Sequence, residues 1–306
     1  MRILLSGGSG MVGTALTTAL AFDGHQVIQL VRREPKPTAR IPEFAWDPVH
    51  DSLDLRILGS IDAAIHLGGV PIAGKRWSVE RKLLIRESRV RSTRLLSQSL
   101  ASIPTPPEIL LVASAVGYYG DRGEEPLTEE SQPGEGFLAD TAVLWEEAAD
   151  PAREAGIRVV NTRFGLIMSR QGGLLTKVRT PFQTALGGKL GNGSQWWPWI
   201  SLPDVVNALV HIIGHDELSG PVNVTAPSPI RNSEFTRTIS SVLSRPAWFH
   251  IPKPIINMVF GEMGVETTLS SQRVFPEKLK ASGFEWIYQS LESNLYQELV
   301  ASRADR

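Results

Sequence analysis

The sequence predicts an α/β protein, a doubly wound parallel sheet with a smaller C-terminal helical subdomain that also carries the substrate side. Two observations carry this. Over residues 1–165, short β-rich runs alternate with helical patterns, the mark of βαβ units. The first strand-to-helix turn, GGSGMVG at 7–13, also holds a glycine triplet where nucleotide-binding sheets place one.

RILLS (2–6) reads as the first strand and Met11–Phe22 as the first helix. HQVIQLV (25–31) is the second strand and FAW (44–46) a short third. AAIHLG (63–68) is apolar enough for a strand buried on both faces, and a long helix follows from Ser78 to Leu100. PEILLVAS (107–114) is the next strand. GFLADTAVLWEEA (136–148) then reads as an amphipathic helix, with Phe137, Leu138, Thr141, Trp145 and Ala148 at three- and four-residue spacing. IRVVNTRFG (157–165) closes the series.

Beyond Gly165 the texture turns irregular and rich in Gly, Pro and Trp. Asp204 is placed to cap the helix VVNALVHII, and a later helix starts near Pro276 and stops at Gly283. The expected organisation is a nucleotide-binding core over 1–165, mixed substrate-side segments of the same fold over 166–245, and a small helical C-terminal domain over 246–306.

A chain of 306 residues with 42% apolar and 21% charged residues is an ordinary soluble globular composition. Lys and Arg (31) cancel Asp and Glu (32), and no long basic run occurs, so nucleic acid is not an expected partner. The expected partner is a small-molecule substrate; self-association stays open. Cysteine is absent, which excludes disulfides, thiolate metal sites and cysteine nucleophiles and fits a cytoplasmic protein. No apolar run reaches the roughly 18–20 residues that span a bilayer. The N-terminus begins like a signal peptide, but Gly7, Gly8, Gly10 and Gly13 interrupt its apolar stretch and argue against one.

Read from Gly7 through Gly10 to Gly13, the turn matches G-x-x-G-x-x-G. Missing β-carbons at Gly7 and Gly10 let the backbone turn tightly and approach a pyrophosphate at the helix N-terminus, where Met11 and Val12 present their N–H groups. Gly13 lets helix and strand pack closely. About 20 residues further on, an NAD site places an acidic residue on the ribose 2′-hydroxyl. Here the chain has Arg32 and Arg33, whose guanidinium groups suit a 2′-phosphate, so NADP(H) is the expected cofactor. The alternative is that both arginines are solvated and Glu34 serves the ribose.

At this point the chain resembles the extended short-chain dehydrogenase/reductase superfamily, and more closely its atypical branch of "epimerase family" proteins, the SulA-like group. GGSGMVG (7–13), LVRRE (30–34), AAIHLGG (63–69), SAVGYYGDRGE (114–124), TRFGLIMSRQGG (162–173), GGKLGNGSQWWPWISLPD (187–204) and GPVNVTAP (220–227) carry the resemblance. SSQRVFPEKLKASGF (270–284) is similar to the C-terminal domain of unknown function that accompanies this branch. The resemblance implies a Rossmann-type fold and NADP(H) contacts from Arg32, from Leu67, Gly68 and Gly69 after the fourth strand, from Arg89, and from Leu166. The alternative for Arg89 is a surface arginine on a charged helix face. One departure is Trp199-Ile200-Ser201, where the branch usually reads W-I-H.

Hydride transfer to or from a nicotinamide needs a group that moves a proton on the substrate oxygen. In the superfamily a Tyr-x-x-x-Lys pair does this, aided by a serine. Four residues after Tyr118, Tyr119, Tyr288 and Tyr296 stand Arg122, Gly123, Glu292 and Val300, so the pair is missing; Phe137 and Thr141 occupy its approximate place. The remaining candidates are Ser114, Tyr118 and Tyr119, although aligning Tyr119 with the family's tyrosine moves the serine position to Ala115. The two tyrosines either act on the substrate or simply pack and solvate. His211 and His215 have metal-pair spacing with no third ligand in register. Two readings follow: an NADP(H)-dependent oxidoreductase or epimerase, or a protein that binds NADP(H) as sensor or carrier.

Overall fold

The computed structural model describes residues 1–301, so the last five residues of the expected 246–306 unit lie outside the described residues. Seven strands form the central sheet: β1 (Arg2–Ser6), β2 (Gln26–Val31), β3 (Glu43–Ala45), β4 (Ala63–His66), β5 (Ile109–Ala115), β6 (Arg158–Phe164) and β7 (Gly220–Val224). Their order is β7-β6-β5-β4-β1-β2-β3, and every pairing is parallel. This is the Rossmann-type, doubly wound order, with its switch point between β1 and β4.

Alternation along the strands divides the core into two layers. Ile3, Leu5, Ile65 and Leu111 face helix α1 (Met11–Phe22), together with a helix later in the chain, Leu202–Ile213. Leu4, Ala64, Leu110 and Val112 face α2 (Val79–Ala101) and α3 (Phe137–Glu147). The helix Leu202–Ile213, hereafter α4, returns Leu209 and Ile212 to the first layer beside Leu16 and Leu20 of α1. Each β1 residue therefore goes to one layer or the other, and a one-residue slip would exchange them.

Segments after Gly165 complete this fold rather than follow it. β7 joins the sheet beside β6 with Asn223 opposite Arg163. The C-terminal part is threaded back in: Arg273–Val274 pairs with Pro126–Leu127, Leu279 and Phe284 enter the α1 layer, and Leu291, Leu295 and Leu299 pack with Trp197, Trp199 and Phe235. Among the described residues, no helix is long and apolar enough to cross a membrane.

The cap of α4 is Ser201, three residues earlier than the expected Asp204. Ser201 Oγ accepts from the Asp204 N–H at 3.0 Å and donates to its carboxylate at 2.6 Å. Ser201 thus supplies the hydrogen-bonding oxygen that an N-cap needs. Asp204 then reaches across to the C-terminal segment, accepting from the backbone N–H of Ile287 (2.6 Å) and Tyr288 (3.2 Å). It is fully buried without a cation, and burial pushes its carboxyl pKa above the ordinary range.

Removing each group should cost differently. Ser201→Ala loses one cap, about 1 kcal/mol, whereas Asp204→Ala strands two backbone donors and should cost about 3 kcal/mol. Urea unfolding measures both, and equal losses would contradict this division of roles.

Candidate functional site

The glycine turn lies at the switch point, where the sheet's strand order reverses. Gly7 has φ +76°, and a β-carbon there would lie 2.7 Å from the Leu67 carbonyl carbon. One at Gly13 would lie 2.2 Å from the Gly7 oxygen. Both positions therefore exclude any side chain. Gly10 is the N-cap of α1 and offers no side-chain bond, and the first turn of α1 holds no acidic residue. The N–H groups of Met11 and Val12 are left to a ligand, at the positive end of the helix.

Around this cradle the two arginines separate. Arg33 is clamped by Glu43, its guanidinium donating at 2.8 and 2.5 Å. Arg32, at the end of β2, is exposed and has no hydrogen bond or ion pair among the described residues. Arg89 is no surface residue: it donates to the Val70 and Ile85 carbonyls at 3.0 Å beneath Gly69 and lies 5.0 Å from the Trp145 ring centre. Burial, with Arg81 nearby, lowers its pKa to about 10, and no carboxylate pairs with it among the described residues. Leu67 and Gly68 follow the end of β4, and Leu166 opens the short strand Leu166–Ser169 two residues after β6. Cradle, open helix end and two unpaired cations fit a dinucleotide phosphate.

Under the Leu67–Gly69 turn sits His66, which the sequence reading did not single out. Ser6 Oγ donates to its Nδ1, and its Nε2–H donates at 2.9 Å to Ser92 Oγ, which itself donates to the Ser88 carbonyl. Burial, reinforced by the charge of Arg89, drops its pKa to about 3, so the ring is neutral. It ties β1, β4 and α2 together directly below the cradle.

The three candidate hydroxyls lie on the α2/α3 face, and those of Ser114 and Tyr119 have other partners. Ser114 is 2% exposed and donates to Glu146 at 2.6 Å. Arg163 clamps both oxygens of Glu146 at 2.8 Å and donates to the Tyr119 hydroxyl at 3.0 Å. Tyr119, fully buried, donates to Asn223 at 2.7 Å. Burial pushes its phenol up to about 12, against the pull of Arg163. Burial alone would lower the Arg163 pKa, but its bonds and charge pairing with Glu146 outweigh that and hold it above the ordinary arginine value. Tyr118 is half-buried, with the Arg163 guanidinium 3.4 Å from its ring centre, and opens onto a hollow beside Glu130 and Glu147. Ala115, the alternative serine position, ends β5 and is the more exposed of the pair.

Phe137 and Thr141 carry no acid–base chemistry. Phe137 packs edge-on against Trp77, and the Thr141 hydroxyl is buried without a partner among the described residues. Glu266, from the C-terminal part, caps α3 by accepting from the N–H groups of Phe137 (3.0 Å) and Leu138 (2.8 Å). Trp197 and Trp199 fill the seam between segments; Trp196 is half-exposed between Arg231 and Arg273. His211 and His215 stack on each other, and no group of residues among those described can hold a metal ion.

Residues 3–225 match the NAD dependent epimerase/dehydratase family, and residues 251–297 match the domain of unknown function DUF1731. The chain is 39% identical to the epimerase family protein Mb2239 of Mycobacterium bovis over 94% of each chain. It is 34% identical to the epimerase family protein YfhF of Bacillus subtilis over 99% of each. The crystal structure of human epimerase family protein SDR39U1 (isoform 2) with NADPH superposes with a TM-score of 0.87 at 31% identity, covering 97% of this chain and 99% of that one.

His66 generates a pH prediction. Its folded pKa of about 3 lies below the ordinary 6.5, so its contribution is complete above 6.5 and is lost as pH falls from there towards 3. Between about pH 7 and about pH 5, the unfolding free energy of the wild type should fall more steeply than that of His66→Gln. Parallel slopes would contradict a neutral buried imidazole.

Proposed function

The chain belongs to the NAD dependent epimerase/dehydratase family, and from that premise we propose that it binds NADP(H) and acts as an oxidoreductase or epimerase on a small carbonyl or hydroxyl compound. The observation that carries this reading is the uncapped, anion-free N-terminus of α1 above a glycine turn that has no room for side chains. Met11 and Val12 bind the pyrophosphate through their N–H groups. Arg32 takes the 2′-phosphate, while Arg33 braces the β2 end through Glu43. Arg89 holds positive charge beneath the Leu67–Gly69 turn, and the human relative's crystallisation with NADPH supports the same cofactor.

When bound, the nicotinamide donates or accepts the hydride. The proton is a separate matter. Ser114 and Tyr119 are committed to Glu146 and Asn223, and Tyr118 opens onto a hollow that shares no residue with the glycine turn. We therefore assign the Ser114 and Tyr119 hydroxyls to positioning α3 and the strand ends, place Tyr118 away from the nicotinamide, and take the proton exchanged with the substrate oxygen from solvent. The same commitment favours a second reading, in which NADP(H) is held by a sensor or carrier without turnover.

Calorimetric titration tests the cofactor assignment. NADPH should bind roughly tenfold or more tightly than NADH, Arg32→Ala should remove that preference, and Arg33→Ala should leave it. Equal affinities in the wild type would overturn it. Turnover on a panel of aldehydes, quinones and sugar nucleotides separates the two readings. Where a substrate reacts, Tyr118→Phe should keep kcat within about threefold, since general acid catalysis contributes on the order of a hundredfold or more. A loss of that size would return Tyr118 to the role of acid.

A further inference from the structure

The polar belt on the α2/α3 face extends past the residues that satisfy one another. Parallel strands covered on both faces are normally continuous apolar runs, yet β6 carries Asn161 and Arg163 on one face, with Asn223 of β7 beside them. Neither α2 nor α3 closes over this end of the sheet; a hollow of about 400 Å³ remains.

Asn161 forms part of its floor. It is 2% exposed, and its Oδ1 has no hydrogen-bond partner among the described residues, an unusual expense for a buried amide. Arg163 beside it is already neutralised by Glu146. The rim is then Glu129, Glu130 and Glu147 against a single cation, Arg153, which is itself paired with Asp150. Glu129 is 5% exposed; one of its oxygens accepts from the N–H groups of Asn223 and Lys278, at 3.1 and 3.3 Å. Burial raises its carboxyl pKa, against the pull of those N–H groups and of the Lys278 charge.

We propose that this hollow is a second ligand site, separate from the cofactor cradle, which binds a small organic cation bearing N–H donors, an alkylammonium or guanidinium compound. The ligand's donors satisfy Asn161 Oδ1 and the second oxygen of Glu129, and its charge is balanced by Glu130 and Glu147 at the mouth. A neutral polyol offers the same donors without the charge and leaves the carboxylates unpaired. The site does not depend on the NADP(H) reading, because none of its residues touches the glycine turn.

The test is calorimetric titration of the full chain with 1,4-diaminobutane and with agmatine, using 1,4-butanediol as the neutral control. Saturable binding of at least one cation and none of the diol is expected. Charge reversal at the exposed rim, Glu130→Lys with Glu147→Lys, should weaken binding roughly tenfold or more while leaving the melting temperature and NADPH affinity unchanged. Asn161→Leu, which removes the orphaned acceptor, should weaken cation binding by a similar factor while leaving NADPH affinity unchanged. Absence of saturable binding at millimolar cation, or binding that survives both the rim reversal and Asn161→Leu, overturns the proposal. Binding of the diol as tightly as the cations overturns the charge assignment and the proposal with it.

Discussion

Everything at the nucleotide rim depends on one close approach. The Gly7 backbone, just past the end of β1, runs so near Leu67, just past the end of the neighbouring β4, that no side chain has room between them. The positive φ at Gly7 turns the chain, the Gly10 N–H closes that turn on the Gly7 oxygen at 3.0 Å, and Gly13 sets α1 directly on it. The helix end is thereby aimed over the C-terminal edge of the sheet with no acidic side chain in its first turn. His66 locks the arrangement from below without introducing charge, since its two ring nitrogens are taken by Ser6 and Ser92. Burial first, and the neighbouring Arg89 guanidinium second, make a neutral ring the stable choice.

The other half of the crevice is organised on a different principle. α3 offers Phe137 and Thr141 in place of an acid–base pair, and its N-terminus is held by Glu266 from the C-terminal part. Polar groups have instead moved to the sheet itself. Ser114, Glu146, Arg163, Tyr119 and Asn223 form a hydrogen-bonded chain around a buried ion pair, whose desolvation cost those bonds offset. That network ties the ends of β5, β6 and β7 to α3.

Much of the fold was legible in the sequence because local signals agree with the global answer. The apolar runs of β1, β4 and β5 and the helical spacing of 137–148 need no distant information, and the observed bounds differ from the expected ones by at most two residues. The glycine turn was legible because steric exclusion is a local property. The cap of α4 falls on Ser201 rather than the expected Asp204, because the proline between them suits a first turn and lets the helix start earlier. The polar network was not legible, because its pairings join residues far apart in the chain, Arg163 to Tyr119 and Asn223 to Tyr119. One signal did exist: an arginine and an asparagine inside the β-branched run RVVNTRF conflict with a strand buried on both faces, and such conflicts mark structure that needs explaining. Nor could sequence spacing divide Arg32 from Arg33; that required Glu43, which β3 places beside β2.

The central claim is that the main chain at the start of α1 holds the cofactor's phosphates and that Arg32, and not Arg33, reads the 2′-phosphate. A crystal structure of the protein grown with saturating NADPH tests it directly. The account predicts pyrophosphate oxygens accepting from the N–H groups of Met11 and Val12, with the 2′-phosphate on the Arg32 guanidinium and the Arg33–Glu43 pair intact. A cofactor whose phosphates lie away from the α1 N-terminus, or whose 2′-phosphate draws Arg33 off Glu43, would contradict it.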